Sequence, residues 1–264
     1  ASDPIDLKVK TKASAPSLEE TVVPEISKLT DTSITVVPVI GQEYSIDGGR
    51  TWNTTGKFIG LEGQTEYKVI TRIAETEEHM AGVEKEVVIK TKIPTNQVVP
   101  IAYAPEVKSY SDTTITVQTV AGEEYSIDGG LTWNKVGVFE NLKSNTKYNI
   151  VARRAETSEA MPGPISVPTA QTTKIASKDV PGPVVAPKLK ATDKTIEVTN
   201  WDARYEYSID NGKTWIKPSD KMIFENLNEG TNYTVISRVA ETATAMPSLK
   251  TTSSTCLLYT SPSP

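Results

Sequence analysis

The sequence predicts an all-β chain built as a tandem array of three β-sandwich modules. Three observations carry that expectation. The segment Glu43–Trp52 (EYSIDGGRTW) returns as Glu124–Trp133 and as Glu206–Trp215, at offsets of 81 and 82 residues, so one unit is repeated three times. Short runs rich in β-branched residues alternate apolar and polar positions, the period of a half-buried strand. Turn residues punctuate these runs every 8 to 12 positions, and no helical period appears, which together indicate about seven short strands per unit.

The elements follow in order. Residues 1–13 carry Ile5, Leu7 and Val9 in alternation and end in Lys-Thr-Lys-Ala, as Val87–Lys92 ends in Lys-Thr-Lys, so they read as the last strand of a preceding copy. Modules are expected at 14–93, 94–175 and 176–255. Each opens on Pro24-Glu25-Ile26, Pro105-Glu106-Val107 or Pro187-Lys188-Leu189, followed by a strand with Ile34 and Val36, Ile115 and Val117, or Ile196 and Val198 facing one way. The repeated hairpin comes next, then Phe58, Phe139 or Phe224 on a short strand. Each copy then carries Leu-x-x-x-Thr-x-Tyr (Leu61 to Tyr67, Leu142 to Tyr148, Leu227 to Tyr233), where the tyrosine opens a long alternating strand. Arg72, Arg153 and Arg238 lead into Ala-Glu-Thr at 74–76, 155–157 and 240–242; repetition of Glu75, Glu156 and Glu241 suggests a module-building role such as pairing with the nearby arginine. The stretches 93–104 and 176–186 are rich in Pro, Val and Ala, which predicts stiff junctions and a monomeric rod near 100–130 Å, taking about 35–40 Å per module. After Met246-Pro247 little sequence is left, so the third module reads as cut short, with an open sheet edge and the lowest stability of the three.

A Leu-x-x-x-Thr-x-Tyr segment before an alternating strand resembles the fibronectin type III family of Ig-like sandwiches, over nearly all of residues 14–255. The resemblance implies a tyrosine corner at Tyr67, Tyr148 and Tyr233, whose hydroxyls bond back to the upstream backbone. The family's core tryptophan on the second strand is missing, and Trp52, Trp133 and Trp215 follow the hairpin instead. The chain thus looks like the modules of bacterial surface and secreted proteins. Residues 256–264 (CLLYTSPSP) break the pattern and resemble a translated sequencing adapter of the kind met in assembled environmental sequences, so the sequence reading sets them aside as non-native.

Ser-x-Asp-x-Gly-x-Thr-Trp resembles the Asp box familiar from sialidases. It is met by Ser45, Asp47, Gly49, Thr51 and Trp52, by Ser126, Asp128, Gly130, Thr132 and Trp133, and by Ser208, Asp210, Gly212, Thr214 and Trp215. Its physics is a turn. Asp-Gly-Gly and Asp-Asn-Gly supply left-handed backbone, the carboxylate accepts N–H groups across the turn, and tryptophan covers the base. A structural role is therefore expected over catalysis. A propeller would repeat at roughly 40–50 residues, and arginines placed one per module do not converge on a pocket.

Several function classes lack their markers. The net charge of −5, without a basic stripe, gives no footprint for nucleic acid. No apolar run is long enough to span a membrane. His79 is the only histidine, which leaves no histidine triad or histidine-rich metal site, and no loop has calcium-binding spacing. No enzyme activity, cofactor or metal is expected. The only cysteine, Cys256, lies in the segment set aside, so no disulfide is expected, which is compatible with exported proteins of anaerobes or Gram-positive cells. Trp201, with Tyr205 beside it, stands where the other copies have VIGQE and VAGEE. It reads first as a local packing substitution and second as a sugar-stacking platform. Two functions stay open beside each other: structural spacer modules of a bacterial cell-surface or secreted protein, and adhesin modules that bind polysaccharide or cell-wall and surface proteins, attached to an extracellular glycoside hydrolase. A glycoside hydrolase proper would want two close carboxylates, and a phage fibre made of similar sandwiches fits the same residues.

Overall fold

Each copy begins with a half-buried strand followed by one whose two inward residues, an isoleucine and a valine, are β-branched and buried. In the computed structural model, which describes residues 11–12, 20–250 and 252–257, the first copy runs β1 (Ile26–Leu29), β2 (Ser33–Val36), β3 (Gln42–Ser45), β4 (Lys57–Ile59), β5 (Glu66–Ile73) and β6 (Lys85–Lys90). The second runs β7 (Val107–Tyr110), β8 (Ile115–Val117), β9 (Glu123–Ser126), β10 (Val138–Phe139), β11 (Lys147–Arg154) and β12 (Thr169–Thr172). The third runs β13 (Leu189–Ala191), β14 (Ile196–Val198), β15 (Tyr205–Ser208), β16 (Ile223–Phe224), β17 (Asn232–Val239) and β18 (Thr252–Leu257).

Strands pair into two three-stranded sheets per copy, β1-β2-β4 with β3-β5-β6, β7-β8-β10 with β9-β11-β12, and β13-β14-β16 with β15-β17-β18. The first, second and fourth strands thus form one sheet, and the third, fifth and sixth the other. This is an all-β chain of three Ig-like, fibronectin type III-like sandwiches. The count is six strands per copy where the turn spacing suggested about seven. Residues 46–56, between β3 and β4, are spent on the hairpin turn and a single bridge from Asn53 back to Tyr44.

The cores follow the alternation. Ile34, Val36, Tyr44, Phe58 and Val69 form one buried cluster, and Ile196, Val198, Tyr207, Met222, Phe224 and Val235 another. Ile115, Val117, Tyr125, Phe139 and Ile150 are buried likewise in the second copy. Residues from both sheets enter each cluster, so burial of these side chains, roughly 1.5–3 kcal/mol each, is what drives the two sheets together.

The third copy is closed, contrary to the expectation of an open edge. Strand β18 pairs with β17 from Asn232↔Leu257 to Ser237↔Thr252, six positions like the β5–β6 ladder. It runs through Cys256 and Leu257, two residues that the sequence reading had set aside. Ladder bonds use backbone groups only, so a segment without alternating pattern can still complete a sheet that offers a regular partner. The remaining part of the presumed tail, 258–264, lies outside the described residues. So does most of the presumed preceding strand, 1–10 and 13.

The chain divides into two units, 1–103 with 152–166, and 104–151 with 167–264.

Candidate functional site

The repeated hairpin is built around one carboxylate. In the first copy Asp47 Oδ1 accepts from Arg50 N and Thr51 N, each at 3.0 Å, and from Ser45 Oγ at 2.8 Å, while Oδ2 accepts from Thr51 Oγ1 at 2.6 Å. Asp128 accepts in the same way from Leu131 N, Thr132 N, Ser126 Oγ and Thr132 Oγ1, and Asp210 from Thr214 N, Ser208 Oγ and Thr214 Oγ1. Ser45 Oγ in turn accepts from Gly49 N at 3.0 Å. The threonine hydroxyl, then its N–H and the serine, hold all three carboxyls far below the usual carboxylate range. Both carboxylate oxygens thus accept bonds from within the turn itself.

The glycine and tryptophan of the motif form one contact. Gly49 and Gly212 have φ of +82° and +89°, and an added Cβ would stand 3.3 and 3.1 Å from the indole Cζ2 of Trp52 and Trp215. Trp52 Nε1 and Trp133 Nε1 donate to the carbonyls of Gly49 and Gly130 at 2.9 Å. Arg72 and Arg238 lie over the Trp52 and Trp215 rings, 3.9 and 4.1 Å from the centroids, and each is also ion-paired, to Glu43 and Glu206. These groups rigidify one turn per copy.

Two tyrosine latches hold each copy. Tyr67, Tyr148 and Tyr233 hydroxyls accept from the N–H five residues upstream, at Glu62, Lys143 and Asn228, over 2.9–3.1 Å. The hairpin tyrosines do the same two strands earlier: Tyr44, Tyr125 and Tyr207 accept from Val39 N, Val120 N and Asp202 N at 2.8–2.9 Å. This second set, among the largest fully buried side chains, went unremarked in the sequence reading, although its recurrence inside EYSID is a visible signal.

The Ala-Glu-Thr loops receive the end of the copy before them. Within the first unit, Lys92 donates to Glu156 and, at 2.8 Å, to Thr157 O; Ile93 N donates to Glu159 O at 2.8 Å, and Met161 N to Ile93 O at 2.9 Å. Within the second unit, Lys174 pairs with Glu241, Ile175 N donates to Thr244 O at 2.9 Å, and Met246 N to Ile175 O at 3.0 Å. Lys12 pairs with Glu75 in the same way. The glutamates therefore bind lysines some 63 to 67 positions upstream; in the first and third copies the neighbouring arginine is held by the hairpin glutamate. The threonine shapes the receiving turn: Thr157 Oγ1 accepts from Ala160 N, and Thr242 Oγ1 from Ala245 N, both at 3.0 Å. Just ahead of each lysine, Thr91 and Thr173 donate to Glu62 O and Lys143 O at 2.6 Å, which anchors the clip to the tyrosine corner of its own copy.

Trp201 and Tyr205 pack partly buried against the third core and also line an open groove of about 440 Å³ with Asp202, Arg204, Lys188 and Tyr207. Asn200, at its edge, is engaged with Lys188 N and Ala186 O. Among the described residues no group of three or more His, Cys, Asp or Glu could hold a metal ion. No helix among them is long and apolar enough to cross a membrane.

No family model matches the chain, and no curated protein does. Solved structures similar to it include chicken CNTN1 FN1-FN3 domains, 13% identical over 91% of this chain and 99% of that one, with a TM-score of 0.37. The central fibronectin-III array of RIM-binding protein is 14% identical over 92% and 98%, with a TM-score of 0.25. A two-domain fibronectin type III segment of chicken tenascin is 14% identical over 59% and 100%, with a TM-score of 0.24.

Proposed function

We propose that the chain is a non-catalytic spacer array of a bacterial cell-surface or secreted protein, holding other domains apart while taking part in no reaction itself. The clip supports this reading most directly. The same lysine, isoleucine, glutamate and threonine join consecutive copies in both units, so what is repeated beyond the core is the means of joining one copy to the next. The Asp-box carboxylates are consumed by their own turns, and the copies carry them one apiece, which gives no pair for acid–base hydrolysis. Immunolabelling of the source cells tests the location: signal on intact cells is expected, and signal only after permeabilisation would refute it. In single-molecule pulling, a spacer should lengthen by about 24 nm per event, the roughly 28 nm extended length of some 81 residues less the roughly 4 nm already spanned by the folded module. One all-or-none extension of the whole array would argue against independent modules.

A further inference from the structure

We propose that the groove of the third copy, between Trp201, Tyr205 and Tyr207, binds an uncharged carbohydrate. The comparison among copies carries this. The loop between the second and third strands of the first copy borders a cleft of about 270 Å³ lined by Pro38, Val39, Ile40, Gly41, Gln42, Thr54 and Ala74, with no aromatic or charged side chain. The corresponding loop of the third copy borders instead, together with Val184, Val185, Pro187 and Lys188, a groove of about 440 Å³ with two aromatic rings and an Asp–Arg pair. That volume falls within the roughly 300–1,000 Å³ of small-molecule sites.

One substitution changes the chemistry. Position 205 corresponds to Gln42 and Glu123, and Tyr205 removes the carboxylate that accepts the second copy's hairpin tyrosine, Tyr125 Oη to Glu123 Oε2 at 3.2 Å. In the first copy Tyr44 donates to Val37 O at 3.3 Å. Tyr207 accepts from Asp202 N, but among the described residues its own proton has no acceptor. Burial raises its pKa, so the hydroxyl stays a donor in neutral solution. A buried donor without an acceptor is costly unless a ligand or water supplies one.

The charges favour a neutral ligand. Arg204 is held by Asp202 through Nη2–Oδ2 at 2.7 Å and Nε–Oδ1 at 3.1 Å, so their charges cancel locally. Lys188 is the one uncancelled charge among the lining residues, and a single solvated lysine draws an anion weakly. A sugar ring matches what remains: C–H faces for the two aromatic rings and a ring or hydroxyl oxygen for the Tyr207 proton.

The test is affinity electrophoresis of the full chain in native gels containing galactomannan, xyloglucan, hydroxyethylcellulose, laminarin or glycol chitin, with polygalacturonate as the anionic comparison. Retardation in at least one neutral gel is expected. Tyr207→Phe, which keeps the ring, should weaken it about fivefold, the equivalent of one hydrogen bond. Trp201→Ala should weaken it about tenfold or more, as loss of an aromatic anchor does. Ile40→Ala, in the first copy's counterpart loop, should leave it unchanged, and circular dichroism melts verify that each variant is folded. Because Trp201 also packs on the core, Tyr207→Phe decides the matter if Trp201→Ala fails to fold. The proposal is overturned by no retardation in any neutral gel, by retardation in polygalacturonate alone, or by retardation that Tyr207→Phe leaves intact.

Discussion

The two clips are built on the same lysine, isoleucine, glutamate and threonine, yet their surroundings differ, and one of the differing positions is a large side chain that makes its own bond across the joint. Beside Lys92 and Ile93 the first copy has Leu29, which borders an open cleft of about 470 Å³ together with Gln64, Ile89, Ser158 and Glu159. Beside Lys174 the second copy has Tyr110 at the corresponding place; its hydroxyl donates to Ala243 O at 3.0 Å and its ring lies 5.5 Å from Lys174 Nζ. The polar clip specifies which segment meets which loop. The side chain at 29 or 110 then decides how tightly the meeting is filled. A repeat can thus keep its order of assembly while the stiffness of each joint is tuned by a single residue.

The strongest way to break this comparison is to remove the copy that takes part in both clips. Tyr125→Ala empties a fully buried site of the second copy and should cost about 3–5 kcal/mol, as large-to-small core changes do. Scanning calorimetry should show that copy melting earlier, with the first and third transitions moving down as well. If those two do not move, the clips carry no stability between copies.

Exchange of the wedge is the next largest effect. Tyr110→Leu gives up the bond to Ala243 and should lower the coupled transition by about 1 kcal/mol. Leu29→Tyr should raise its counterpart by a similar or smaller amount, since the cleft beside Leu29 is open enough to take the ring. Equal and opposite shifts would sharpen the comparison; a loss in both variants would mean that position 29 lacks an acceptor. Removal of the clip charge comes below this. Lys92→Gln and Lys174→Gln should each cost under about 1 kcal/mol, because the glutamate partners are half exposed, and 0.5 M salt should erase much of the difference.

Much of this architecture is legible in the residues, because offsets of 81 and 82 positions present each local pattern three times. The inward β-branched pairs, the left-handed glycines and the corner tyrosines each specify local geometry, and local geometry is what a sequence pattern encodes. Glu75, Glu156 and Glu241 were harder. Their partners lie across a module boundary, so the nearby arginine was the obvious candidate and the distant lysine was not. The closing strand at Thr252–Leu257 was invisible for a related reason: its pairing comes from the regular edge of β17, not from alternation of its own. The groove was half legible. Trp201 is conspicuous, but the loss of an acceptor for Tyr207 emerges only when three copies of one hydrogen bond are set side by side.

Acid should have the least effect on the contrast between the joints while acting on every copy. Asp47, Asp128 and Asp210 have folded pKa values lowered by the threonine and serine bonds of their turns. A lowered folded pKa means that the contribution is fully present above the unfolded value, near 3.8, and is lost as pH falls toward the folded value. Melting temperatures should therefore hold steady from pH 7 to about 5 and decline below about 4 as protons bind preferentially to the unfolded chain. Asn at all three positions should lower stability at neutral pH and flatten that decline. The Tyr110 bond joins a hydroxyl to a backbone carbonyl, so the shift produced by Tyr110→Leu should be the same at pH 3 as at pH 7. A shift that vanishes at pH 3 would mean that the wedge acts through its contact with Lys174 and not through its own bond to Ala243.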